Sequence, residues 1–315
     1  MEDLSKLFVH APKNWGRWGE DDEVGAVNVL DDQQVKDAAS LIRSGKVFTL
    51  GLPMNSETGD LCLPARKPIQ KYMVSDKSFY LSKRSEPQGG WEFADDMAIL
   101  YLQGSTQIDA LGHVWYNDKL YNGYDASTTI GGLRKDSVYG VAEHGIVGRG
   151  VLIDMARYHQ VEYLPPDYLI TLDDIEKTLV AQNTKLRQND ILLVRTGFYR
   201  KFLNEGMEGY YADGLHEPGM TYSDDVVQWF RQWDIPVYGT DTITNEQPTS
   251  AHTGTFAPLH PALITGLGVS MLEMLWLESL AADCEHDGQY DFMLVISPLK
   301  IHGAAGSPIN PIAIK

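Results

Sequence analysis

The stretch Gln103-Gly104-Ser105-Thr106-Gln107-Ile108-Asp109-Ala110-Leu111-Gly112-His113 lies between the apolar run Met97–Leu102 and the aromatic pair Trp115–Tyr116. Four polar side chains, Gln103, Gln107, Asp109 and His113, fall on a tight spacing along it. It reads as a metal-site loop fed by a strand over residues 97–103. The two positions best suited to histidine in a metal loop carry glutamine. The glutamines and the aspartate offer oxygen or amide groups, and the histidine can carry protons near neutral pH.

Outward from this loop, the flanking pattern predicts an α/β domain. Asp31–Asp32 opens a helical pattern through Val35, Ala38, Ala39 and Ile42 that Gly45 ends, and residues 46–52 form a short β-rich run. Residues 53–96 are rich in Pro, Gly, Ser and charge and read as a long irregular excursion. Gly150–Met155, Asp190–Thr196, Ile235–Thr240 and Phe292–Ile296 read as strands. Thr171 with Asp174 forms a capping box, Ser223 caps a helix through Trp233, and residues 270–280 show helical spacing. Strands alternating with helices in the second half point to a partly parallel sheet.

The 315 residues are 43% hydrophobic, enough for one large core, and no linker or repeat divides them. The expectation is a single domain over residues 1–315, with an N-terminal extension of about 45 residues packing on it. A net charge of −17 opposes binding to phosphate backbones and anionic lipid, so neither nucleic acid nor membrane is expected as a partner. The start lacks a basic segment followed by an apolar one, and no apolar run is long enough to span a bilayer, so a cytoplasmic protein is expected. Cys62 and Cys284 lie far apart, outside any CxxC, and read as ordinary thiols. There is no GxSxG, Walker loop, HExxH or GxGxxG after a strand, so a nucleotide cofactor is not expected.

The loop resembles the signature His–x3–His–x–Asp–x3–His of the cyclase-like metal hydrolases, the family of bacterial kynurenine formamidase and isatin hydrolase. Gly104, Thr106, Asp109 and His113 match, and Gln103 and Gln107 stand where the first two histidines would be. Leu259–His260, the run Gly266-Leu-Gly-Val, and Met271-Leu-Glu273 resemble the family's downstream segment. Asn14–Gly19 with Asp21, Asp22 and Asn28 resembles the start of its longer members, and Pro298–Leu299 with Gly306–Pro308 its final strand and turn.

The resemblance implies a swivelling β/β/α fold, a divalent metal site, hydrolysis of an amide or ring amide, and a homodimer or homotetramer. Carried over, metal ligation falls on Gln103, Gln107, Asp109, His260 and Glu273, and acid–base work on His113. Amide carbonyls are harder and weaker donors than imidazole, so such a set suits one Mn²⁺, Mg²⁺ or Ca²⁺ better than Zn²⁺. Two outcomes stay open: a weak hard-metal site, or no metal, with the glutamines acting as hydrogen-bond donors to substrate and Asp109 orienting His113.

Around the loop, Trp15, Trp18, Trp115, Tyr116 and Tyr121 are candidates to wall a pocket for a planar or aromatic small molecule. His144 is a candidate substrate contact, and His252 a spare ligand should His260 point elsewhere. Asp241 and Glu246 follow a strand end, where α/β proteins often place ligands. The expected activity is hydrolysis of a small cyclic or aryl amide or a lactone. The alternatives are a metal-free isomerase, cyclase or lyase on the same scaffold, and a non-catalytic small-molecule-binding relative.

Overall fold

The apolar run expected over Gly150–Met155 is the end of a longer strand, Ile146–Asp154, whose residues are buried on both faces. Such two-sided burial marks the middle of a sheet covered by helices on each side. The computed structural model describes residues 3–54, 59–82 and 88–315. Among them the strands are β1 (Val47–Thr49), β2 (Gln70–Ser75), β3 (Asp95–Ile99), β4 (Gln107–Asp109), β5 (Ile146–Asp154), β6 (Ile191–Arg195), β7 (Val237–Thr240), β8 (Ser270–Glu273), β9 (Asp291–Ile296), β10 (Gly306–Pro308) and β11 (Ile312–Ile314).

Nine of these form one mixed sheet in the order β1-β11-β9-β5-β6-β7-β8-β4-β10. The centre, β5 to β8, is parallel. Antiparallel strands flank it on both sides. One face packs Val151, Val194, Tyr238 and Met271 against the helices Leu172–Ala181 and Asp224–Gln232. The other packs Leu152, Leu193, Leu272 and Leu294 against the helices Val138–His144 and Glu278–Asp287. This is the α/β architecture the alternation predicts, with helices on both sides of a partly parallel sheet.

The helix starts follow the local chemistry. Thr171 and Asp174 exchange side-chain and backbone bonds as a full capping box, and the Ser223 hydroxyl accepts from the Val226 amide at 3.2 Å. Asp31 caps Asp32–Ala39, which stops well short of Gly45. The chain turns there because the amides of Ser44 and Gly45 donate to the Lys315 carbonyl, tying this segment to the C-terminus.

Three expectations are corrected. Residues 270–280 do not form one helix: Ser270–Glu273 is β8, Met274 has a positive φ of 54°, and the helix begins at Glu278. An apolar run of this length fits either period, and pairing with β7 and β4 decides it. Residues 97–103 do not form the strand that enters the polar loop. Residues 95–99 belong instead to a separate two-stranded ribbon with β2, and Gln103 lies in a turn beyond it. The excursion over 53–96 therefore contains regular structure, and its residues 55–58 and 83–87 lie outside the described residues.

The N-terminal segment runs against the turn before β8. The Asn14 amide donates to the Gly266 carbonyl, the Trp15 indole to Thr265 at 2.7 Å, and the Ala26 amide to Gly268. Gly268 has φ 71°, and a Cβ there would sit 2.6 Å from the Tyr121 ring and 2.8 Å from the Gly25 Cα, so only glycine permits this approach. No helix among the described residues is long and apolar enough to cross a membrane.

Candidate active site

Strand register assembles the site. The antiparallel pairing of β4 with β8 sets Gln107 opposite Glu273. Alternation along β4 then puts Asp109 on the same face as Gln107, while Ile108 turns to the opposite core with Leu272. His260 comes from the single turn Leu259–Pro261, and its Nε2 lies 3.1 Å from Glu273 Oε1. One ligand atom from each of Asp109, His260 and Glu273 falls within 4.8 Å of the others, and all three residues are buried.

Gln107 bridges the two acids. Its Nε2 donates to Glu273 Oε2 at 2.5 Å and lies 3.4 Å from Asp109 Oδ1. Gln107 Oε1 and Asp109 Oδ2 are buried without a hydrogen-bond partner among the described residues. Buried unpaired oxygens beside two further ligand atoms fit a divalent cation, which would satisfy them. The donors Asp109, Glu273 and His260 suit such an ion.

Glu246, expected only to border the pocket, holds His260 from behind. Its Oε1 lies 2.7 Å from His260 Nδ1, and its two oxygens accept from the backbone amides of Leu259 and His260. Burial alone would lower the imidazole pKa, but the bonds to Glu246 and Glu273 together outweigh it and raise it to about 10. Burial and the nearby Asp109 charge push Glu273 up to about 8. Burial also raises Glu246, against the pull of His260.

His113 stands at the edge of the trio, with Nε2 3.9 Å from Asp109 Oδ1 and its side chain partly exposed. It, His260 and Glu273 open on a cavity of about 270 Å³ walled by Leu4, Leu63, Trp115, Ile243 and Phe256. That volume is near the lower limit for small-molecule sites, roughly 300 Å³.

The remaining expected residues divide clearly. Trp115 lines the cavity. The Gln103 side chain does not reach the acids: its amide packs on Gly306, and its backbone carbonyl accepts from Arg66 Nη1 at 2.6 Å. Trp15 is turned by its bond to Thr265 to cover the core edge, and Trp18 packs on the same core beneath Arg17. Tyr116 packs edge-on against Phe8 with ring centroids 4.9 Å apart. Tyr121 is fully buried and donates to Asp22 at 3.0 Å. His144 ends a helix beside a separate groove near Asp31 and Lys36. Asp241 is occupied by the amides of Thr196 and Gly197, and His252 faces the Tyr222 carbonyl.

Sequence reasoning missed Arg66, Leu63 and Phe256, which reach the cavity from loops far away along the chain. No periodic signal marks them. For Glu246, its place in the segment following a strand was the available clue.

The family model described as Cyclase matches residues 50–247. A solved structure described as a novel cyclase is 37% identical, covers 100% of both chains and has a TM-score of 0.87. Isatin hydrolase A from Ralstonia solanacearum is 20% identical over 91% of this chain and 97% of its own, with a TM-score of 0.63. Isatin hydrolase A from Labrenzia aggregata, bound to benzyl benzoate, is 21% identical over 90% and 97%, with a TM-score of 0.60. The two isatin hydrolases share the fold. Among curated proteins no match is found.

Proposed function

The chain belongs to the cyclase family, and from that premise we propose that it hydrolyses a small cyclic or aryl amide or a lactone. The observation that carries this reading is the buried trio Asp109, His260 and Glu273, of which His260 and Glu273 open, beside His113, on one small, largely apolar cavity.

Asp109, His260 and Glu273 would hold one divalent cation, with Mn²⁺ or Mg²⁺ favoured by the two carboxylates. When bound, such an ion polarises a carbonyl and makes water more acidic. The protein's own residues do the rest. His113 takes a proton from the attacking water as its oxygen bonds to the carbonyl carbon. The same imidazole returns that proton to the departing nitrogen or oxygen as the C–N or C–O bond breaks. Asp109, 3.9 Å away, favours the transient imidazolium. Glu246 fixes the His260 ring so that Nε2 faces Glu273. Trp115 and Phe256 hold a planar substrate and exclude water.

A second reading, metal-free proton transfer on the same scaffold, has one observation in its favour: Gln107 Nε2 already serves both acids. Metal analysis of the purified protein, combined with a panel of aryl amides, cyclic amides and lactones, separates the two. Bound Mn²⁺ or Zn²⁺ with turnover lost to chelator supports hydrolysis at a metal centre. Activity that survives chelator but disappears in His113→Ala supports the metal-free reaction. Tight binding of small aromatics with no turnover across the panel would make this a binding protein.

A further inference from the structure

Arg66 is the one Lys or Arg side chain among the described residues that line the cavity. It sits on the turn closed by its own amide on the Leu63 carbonyl, just before the ribbon leaves the body of the protein. Its Nη1 donates to the carbonyl of Gln103, the point where the chain returns. Among the described residues the guanidinium is therefore held at the cavity wall by a single hydrogen bond.

A guanidinium has five N–H donors in a planar fork, and the bond to Gln103 uses one of them. Among the described residues Arg66 makes no ion pair, although acids outnumber bases 43 to 26 in this chain. Its charge is felt by Glu273 across the site. The cavity thus has three unlike parts: an acid–imidazole cluster with His113, an apolar wall of Leu63, Trp115 and Phe256, and a cationic fork. A neutral substrate with no acceptor at that point would leave the fork's remaining donors unmatched by the ligand. A carboxylate would take it in paired hydrogen bonds and offset the repulsion from Asp109 and Glu273.

We propose that the substrate carries a carboxylate, separate from the bond that is cleaved, and that Arg66 anchors it. The anchor fixes which carbonyl reaches His113, so Arg66 sets specificity rather than acting in the proton transfers. This rests on the hydrolase reading only in taking the same cavity as the place of reaction.

Isothermal titration with benzoate and with benzamide tests the anchor without requiring turnover. Wild-type protein is expected to bind benzoate at least tenfold more tightly than benzamide. Arg66→Ala removes that preference while leaving benzamide binding in place, and Arg66→Lys restores part of it. Absence of a preference in the wild type, or its persistence in Arg66→Ala, overturns the proposal. Should Arg66→Ala fail to fold, the wild-type comparison and Arg66→Lys decide the matter.

A matched pair of neutral and carboxylate-bearing lactones, phthalide and phthalide-5-carboxylate, reports on the reaction separately. The anchor predicts that Arg66→Lys raises KM for the carboxylate alone, with kcat nearly unchanged. A benzoate preference with neither lactone nor any member of the amide panel hydrolysed leaves Arg66 as the anchor and removes the hydrolase reading. Equal KM effects on both lactones leave the hydrolase reading and overturn the anchor.

Discussion

Glu246 Oε1 lies 2.7 Å from His260 Nδ1, and the same carboxylate closes on the backbone amides at the turn that presents the ring. The imidazole is thus oriented by a group that never faces the cavity. Glu246→Gln would set an amide N–H against one of these donors. It is expected to cost about 2–4 kcal/mol of stability and to weaken divalent-ion binding by roughly 10- to 100-fold. Thermal unfolding with and without Mn²⁺ measures both; an unchanged Mn²⁺ affinity would show that Glu246 does not position His260.

His113→Ala should separate chemistry from assembly. The side chain is partly exposed, and its nearest acidic oxygen is 3.9 Å away. Removing it is expected to lower kcat by about 10²- to 10⁴-fold while leaving unfolding midpoint and ion uptake nearly unchanged. Full activity in this variant would remove His113 from the mechanism.

Gln107→Leu tests the bridge between the acids. Without Nε2, Asp109 and Glu273 lose their shared donor, at a cost of about 1–3 kcal/mol in the ion-free protein. Saturating Mn²⁺ should restore part of that loss if the acids hold a cation. Denaturant unfolding at fixed pH, with and without Mn²⁺, gives the answer; no recovery on adding the metal counts against a cation there.

The polar loop declared itself in the sequence because Gln107, Asp109 and His113 are neighbours along the chain; strand alternation puts Gln107 and Asp109 on one face, and the turn after the strand brings His113 back beside Asp109. His260 and Glu273 were readable for a different reason, since the resemblance marks their segment. Arg66 and Glu246 could not be read in this way. Arg66 depends on where the ribbon leaves the body, and Glu246 reaches His260 across a loop of irregular backbone. The same limit explains residues 270–280, whose apolar spacing suits a helix until the neighbouring strands claim its backbone. The aromatics Trp15 and Tyr121 are chemically apt for a pocket, yet Thr265 and Asp22 hold their polar ends elsewhere.

Asp136 supplies a pH-dependent prediction away from the acids at the site. It is fully buried, neither carboxylate oxygen has a hydrogen-bond partner among the described residues, and its backbone carbonyl accepts from Gly112 in the polar loop. Burial, reinforced by the charges of Glu23 and Asp22, raises its pKa from 3.8 to about 8. The folded protein therefore holds this proton more tightly than the unfolded chain, and the associated stability is lost as pH rises from about 4 to about 8. Asp136→Asn keeps the shape and tolerates the φ of 56°. It is expected to add on the order of 2 kcal/mol at pH 8 and to flatten the decline. Denaturant midpoints from pH 5 to 8 test this; parallel curves for the two proteins would refute it.

The pairing of Gln107 with Glu273 also ties reactivity to correct folding. A slip of one residue between these strands would carry Gln107 and Asp109 through to the far side of the sheet and leave Glu273 facing apolar side chains. A misregistered molecule would keep the pair of His260 with Glu273 but lack Gln107 and Asp109 beside it. The cavity rim at Leu63, Arg66 and Phe256 lies on loops outside that pairing, which leaves ligand preference open to change without disturbing the reacting groups.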